Sequence, residues 1–103
     1  MTKTKYKHKI TENDVKRQVK DWLSYKGYFH FHILQGLGAY KGIPDIIAIK
    51  NGQVLFIECK KPARGSKQSP AQKEFQANIE AHDGNYLLVK SVEDLLEGIK
   101  NAI

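Results

Sequence analysis

Asp45, Glu58 and Lys60 are two carboxylates and an ammonium at spacings that one tight turn could bring together. Between the two acids run I-I-A-I-K-N-G-Q-V-L-F-I, two apolar stretches (Ile46 to Ile49 and Val54 to Ile57) on either side of Asn51-Gly52. Asn-Gly accepts the positive φ values of a type I′ turn and is a strong short-range hairpin signal. A two-residue turn sets Lys50 opposite Gln53. Carried outward, that register sets Asp45 opposite Glu58 on one face, with Cβ atoms roughly 5 Å apart. Lys60 follows Glu58 by two residues and points to the same face, about 6.5 Å further along. Carboxylates this close raise each other's pKa unless a cation sits between them. Mg²⁺ or Mn²⁺ takes such oxygen ligands, usually one or two carboxylates with waters and substrate phosphate. A neighbouring ammonium can then orient and help deprotonate a bound water. The plain alternative is a cross-strand charge pair with surface lysines. Register, the Pro44-Asp45 pair and Glu58-x-Lys60 together favour the metal site.

The elements that must position these groups follow from patterning. Thr11 reads as an N-cap with Glu12 and Asp14 in the first turn, and Val15, Val19, Trp22 and Leu23 recur at helical spacing until Gly27. Tyr28 to Ile33 alternates like a strand, with Phe29, Phe31 and Ile33 on one side and His30 and His32 on the other. Leu34 to Lys41 is a loop without a phosphate-binding glycine fingerprint. Within the hairpin both faces are mostly apolar, which predicts a sheet covered on both sides. Lys61 to Gln68 is a basic loop. Ser69-Pro70-Ala71-Gln72 then opens a helix with a capping box, whose buried stripe is expected at Ala71, Phe75 and Ile79. Asn85 to Lys90 reads as a strand, and Ser91 caps a last helix carrying Val92, Leu95, Leu96 and Ile99. The order is helix, three strands, helix, strand, helix, an α/β core in which the fourth strand joins parallel by a right-handed crossover.

At 103 residues the chain suits one core. A basic arm is expected over residues 1–10, with Lys3, Lys5, Lys7 and Lys9, and a single domain over 11–103. The net charge of +6 suggests a polyanionic partner, and a second basic cluster (Lys60, Lys61, Arg64 and Lys67) follows the acids directly. One cysteine, Cys59, excludes an internal disulfide and points to a reducing, cytoplasmic setting; by alternation it faces the packed side. No apolar run is long enough for a membrane span.

Pro44-Asp45 followed after a hairpin by Glu58-Cys59-Lys60 resembles the PD-(D/E)XK nuclease superfamily. With Gly42 and Gln72 it is most similar to the virus-type replication-repair nuclease (VRR-NUC) family, over about residues 12–95. The resemblance implies a restriction-endonuclease-like αβββαβ fold, a mixed four-stranded sheet flanked by helices. It implies a Mg²⁺- or Mn²⁺-dependent endonuclease acting on DNA, branched DNA or Holliday-junction-like substrates included, and a homodimer. Asp45, Glu58 and the backbone carbonyl of Cys59 would hold the ion, and Lys60 would serve the attacking water. In that family a glutamate opening the first helix reaches the metal, often with a Gln one turn later. Glu12 fits the first position but Lys16 occupies the second, so Glu12 is either a site acid or only a complement to the helix dipole. Gln72 is a cap by its own sequence context and a site residue by resemblance, and serves both only if its side chain is shared. Lys41, Lys61, Arg64, Lys67 and His32 are the candidate DNA contacts. A DNA-binding module without activity and a nuclease acting on RNA remain as alternatives.

Overall fold

Asn51 and Gly52 take φ values of 53° and 78°, the paired left-handed residues of a type I′ reversal. In the computed structural model, which describes residues 9–34, 36 and 38–102, they join β2 (Ile46–Lys50) to β3 (Gln53–Cys59). Most of the expected basic arm (1–8) lies outside the described residues. The register is the one the turn dictates: Lys50 opposes Gln53 and Ile46 opposes Ile57. β1 (Phe29–His32) pairs antiparallel with β2, and β4 (Asn85–Val89) pairs parallel with β3, giving a four-stranded mixed sheet in the order β1-β2-β3-β4. The chain follows αβββαβα order, an α/β fold consistent with the restriction-endonuclease-like class.

α1 (Glu12–Tyr25) and α3 (Val92–Ala102) pack on one face of the sheet. Val15, Val19 and Leu23 of α1 and Leu95 of α3 close over Ile46, Ala48, Leu55, Ile57, Cys59, Leu87 and Val89. Full burial of a large aliphatic side chain contributes about 1.5–3 kcal/mol, so this layer carries most of the fold's stability. Both N-termini are capped as patterning predicts: Thr11 and Asp14 close a capping box on α1, and the Asp94 N–H donates to Ser91 Oγ (3.1 Å) on α3.

The opposite face departs from expectation. It is covered only in part, by α2 (Pro70–Ala81), which buries none of its residues fully: Ala71, Phe75 and Ile79 are half-buried. Phe75 holds this helix down with its ring 6.0 Å from Phe56 and 5.7 Å from Tyr40. Beyond α2, Ile47 and Ile49 are half-exposed, and Phe29 and Phe31 are 66% and 42% exposed. On α3, Leu96 is likewise exposed, at 44%, where helical spacing predicts burial. Two apolar faces therefore do not mean two covered faces.

Candidate active site

Asp45 immediately precedes β2 and Glu58 lies near the end of β3, one register step beyond the Ile46–Ile57 pair. Glu58 alternates with the core residues Ile57 and Cys59 and so points away from the α1–α3 layer, yet both acids are buried, Asp45 at 5% and Glu58 at 1% exposure. The backbone builds much of the support. Ile33 N–H donates to the Asp45 carbonyl (2.7 Å), tying β1 to this end of β2, and the Cys59 N–H donates to Asp45 Oδ2 (2.8 Å). Lys60 N–H donates to the Val89 carbonyl (3.0 Å), and its ammonium stands 3.7 Å from Glu58 Oε2.

Gln72 is shared between cap and site. Its backbone N–H donates to Ser69 Oγ (3.1 Å) and its Oε1 accepts from the Ser69 N–H (2.8 Å), while its Nε2 donates to Glu58 Oε2 (2.9 Å). Gly42 sets the approach that makes this possible. It has φ of 82° and lies so close to Ala71 that a Cβ there would collide with the Ala71 carbonyl. A glycine at that position lets the loop before Asp45 touch the first turn of α2.

Glu58 Oε1 is buried with no hydrogen-bond partner. Burial, then the Asp45 charge, push the Glu58 carboxyl up to about 8 despite the Lys60 ammonium. A buried acceptor without a donor is costly, as is a charge without a counter-charge. Both costs vanish if a cation sits at Oε1 between the two acids, so the residues fit a divalent ion. Two carboxylates suffice for Mg²⁺ or Mn²⁺, which retain waters and substrate oxygens.

Glu12 is not brought directly into this pair. Among the described residues no three His, Cys, Asp or Glu side chains gather closely enough to hold a metal ion. What lies between Glu12 and Asp45 is Lys16, 3.6 Å from Glu12 Oε2 and 3.4 Å from Asp45 Oδ1. Burial disfavours its ammonium, but Asp45 and Glu12 outweigh that and raise its pKa. Lys16 is the site residue that patterning missed; the signal was a lysine four residues after Glu12, which could have been read as a charge partner for the acids. Cys59 is fully buried in the core as expected, its thiol pushed up to about 12 by burial and then by Asp45, which leaves it inert.

The candidate DNA contacts are all exposed: Lys41 before the Gly42 turn, Lys61, Arg64 and Lys67 in the loop after β3, and His32 at the end of β1. His32 lines a cleft of about 250 Å³ with Asn13, Lys16, Arg17, Lys20 and Ile46. Lys61 lines a second, largely apolar cleft, of about 790 Å³, with Pro62, Ala63 and residues 9–13. Among the described residues no helix is long and apolar enough to cross a membrane.

Residues 7–74 match the family model described as archaeal Holliday junction resolvase (hjc). The matched stretch takes in α1, the first three strands, both buried acids, Lys60 and Gln72. A protein of Acyrthosiphon pisum secondary endosymbiont phage 1, provisionally named nuclease p44, is 38% identical over 56 residues. That alignment covers 53% of this chain, which spans just over half (57%) of the phage protein's length.

Proposed function

The chain belongs to the archaeal Holliday junction resolvase family, and from that membership and the site geometry we propose a divalent-metal-dependent endonuclease that hydrolyses phosphodiester bonds of branched, junction-like DNA. The observation that carries the reading is Glu58 Oε1, buried without a partner beside a second buried carboxylate. No role in folding explains a pair of acids kept so dry at a strand end. The finer VRR-NUC likeness, resting on Gly42, Pro44-Asp45, Glu58-Cys59-Lys60 and Gln72, is part of the same reading.

Asp45, Glu58 and the Cys59 carbonyl would hold Mg²⁺ or Mn²⁺. When bound, the ion supplies positive charge at the scissile phosphate and acidifies the attacking water. The chain's own groups do the rest. The Cys59 N–H and Gln72 Nε2 each donate to one oxygen of an acid and so hold both carboxylates in place. Lys60, held beside Glu58, positions the water and offsets negative charge growing on the phosphate. Lys41, Lys61, Arg64, Lys67 and His32 contact the DNA backbone, with the basic arm before residue 11 adding charge to the single nuclease domain.

A homodimer completes the proposal. A two-fold pair presents two sites to two strands of a junction, and the exposed Phe29 and Phe31 offer apolar surface for it. The test is a cleavage panel of supercoiled, linear, flap and four-way-junction DNA in Mg²⁺ and Mn²⁺, with EDTA controls and a solution mass. Junction cleavage that EDTA stops, by a dimer, is expected. Binding without cleavage in either metal returns the chain to a DNA-binding module, and a preference for RNA redirects the substrate.

A further inference from the structure

Lys16 occupies a place that the proposed reaction does not by itself require. Its ammonium bridges Glu12 Oε2 (3.6 Å) and Asp45 Oδ1 (3.4 Å), with its side chain 30% exposed and that of Asp45 only 7%. Asp45 thus meets a backbone N–H on one oxygen and an ammonium on the other. Glu58 meets Gln72 and Lys60 on Oε2 and nothing on Oε1. The open position therefore lies on the Glu58 side of Asp45, and the Glu12 side is closed by a fixed positive charge. An ion shared by Glu12 and Asp45 would need metal–oxygen distances of about 2.0–2.1 Å to both, in the space where Lys16 Nζ now stands.

Resting on the metal-dependent reading above, we propose that Lys16 is a built-in counter-ion in place of a second metal, confining the site to a single divalent ion between Asp45 and Glu58. Glu12 acts on that centre only by holding Lys16, as a positioning residue. The i,i+4 order, Glu before Lys, is the favourable one on a helix and keeps the ammonium aimed at Asp45. Three carboxylates against two ammonium groups carry a net charge of about −1, which one divalent ion more than offsets; removing Lys16 deepens that charge and vacates the space between Glu12 and Asp45 that a second ion would need.

Mn²⁺ titration by calorimetry and EPR, on the full chain at pH 8 without DNA, tests this. Wild type takes up a single Mn²⁺ per chain, and Lys16→Arg, which keeps the charge, does the same. Lys16→Gln takes up a second ion, and its first binds about tenfold or more tighter once a nearby positive charge is gone. Adding Glu12→Gln to Lys16→Gln returns the count to one, whereas Glu12→Gln alone leaves the wild-type count unchanged. Circular dichroism melts with and without Mn²⁺ check that each variant is folded. Two ions on wild type, or a single ion at wild-type affinity on folded Lys16→Gln, overturns the proposal while leaving the hydrolytic reading intact. A wild-type chain that binds no Mn²⁺ overturns both.

Discussion

Replacing Glu58 with glutamine should make the metal-free protein more stable while destroying the site. The unfolded carboxyl titrates at its ordinary 4.5 and the folded one at about 8. An acid whose folded pKa is raised favours folding fully only below its unfolded value, and that contribution is lost as pH rises through the folded value. At pH 7 the wild-type chain must take up a proton to fold, at a cost of about 3 kcal/mol from 1.4 kcal/mol per pH unit. Above pH 8 the penalty levels off, because the folded protein then carries the charge. The Glu58→Gln variant would have no such penalty, and its side-chain carbonyl would still accept from Gln72. The new amide nitrogen would instead face the place where Oε1 has no partner, costing on the order of 1 kcal/mol. The net gain is about 2 kcal/mol at pH 7 and about 3 kcal/mol at pH 8, or roughly 10–15 °C in Tm for a domain of this size. At pH 5 it falls to nearly zero. Thermal unfolding in EDTA at pH 5 and pH 8 reads this directly. Mn²⁺ at 100 times its Kd should then raise wild type by about 2.7 kcal/mol and the variant far less, closing or reversing the gap. If Glu58→Gln melts below wild type in EDTA at pH 8, the carboxylate is held by favourable contacts and the inference from its orphaned oxygen is wrong.

Asp45→Asn and Lys60→Ala should each abolish DNA cleavage while leaving DNA affinity within a few-fold of wild type in a gel-shift assay, since neither lies among the exposed basic residues. Cleavage at wild-type rate in Mg²⁺ by either would show its role is misassigned. Gly42→Ala should lose more than about 2 kcal/mol by urea unfolding, because its Cβ meets the Ala71 backbone as well as an unfavourable φ. Gly52→Ala, also at positive φ but with nothing within 4 Å, is the control and should lose only about 1–2 kcal/mol. Equal losses would mean that the contact between the Gly42 loop and α2 is unimportant.

What patterning read correctly was local. The Asn51-Gly52 reversal encodes its own register, so the pairing from Lys50–Gln53 out to Ile46–Ile57, which brings Asp45 and Glu58 to the same end of the hairpin, needs no knowledge of the rest of the fold. The Ser69–Gln72 box is equally self-contained, and the Phe-His alternation after Gly27 is a strand because its period is two. Coverage was misread because alternation tells which faces are apolar but not what lies over them. α2 packs on β4 and, through Phe75 and Gln72, on Phe56 and Glu58 of β3, while Phe29 and Phe31 of β1 stay exposed.

The tuning of the acids was legible only in part: resemblance pointed Gln72 at the site, where its Nε2 meets Glu58, but nothing assigned Lys16 a place there. Lys16 and Gln72 lie on helices far apart in sequence, and neither contact exists until both helices are docked on the hairpin. The site thus has two layers of determination. A turn brings the carboxylates together and any sequence that keeps the turn keeps that pair. The two helices then decide the charge around it: α1 adds a cation on the Asp45 flank, and α2 adds a neutral donor on Glu58. Changes in either helix should therefore alter ion number and the Glu58 pKa without disturbing the hairpin, whereas a slip of one residue in the turn would send both acids to opposite faces and remove the site outright. Chemistry at this centre is accordingly most adjustable where it was least readable, at the helix positions whose partners are set by packing.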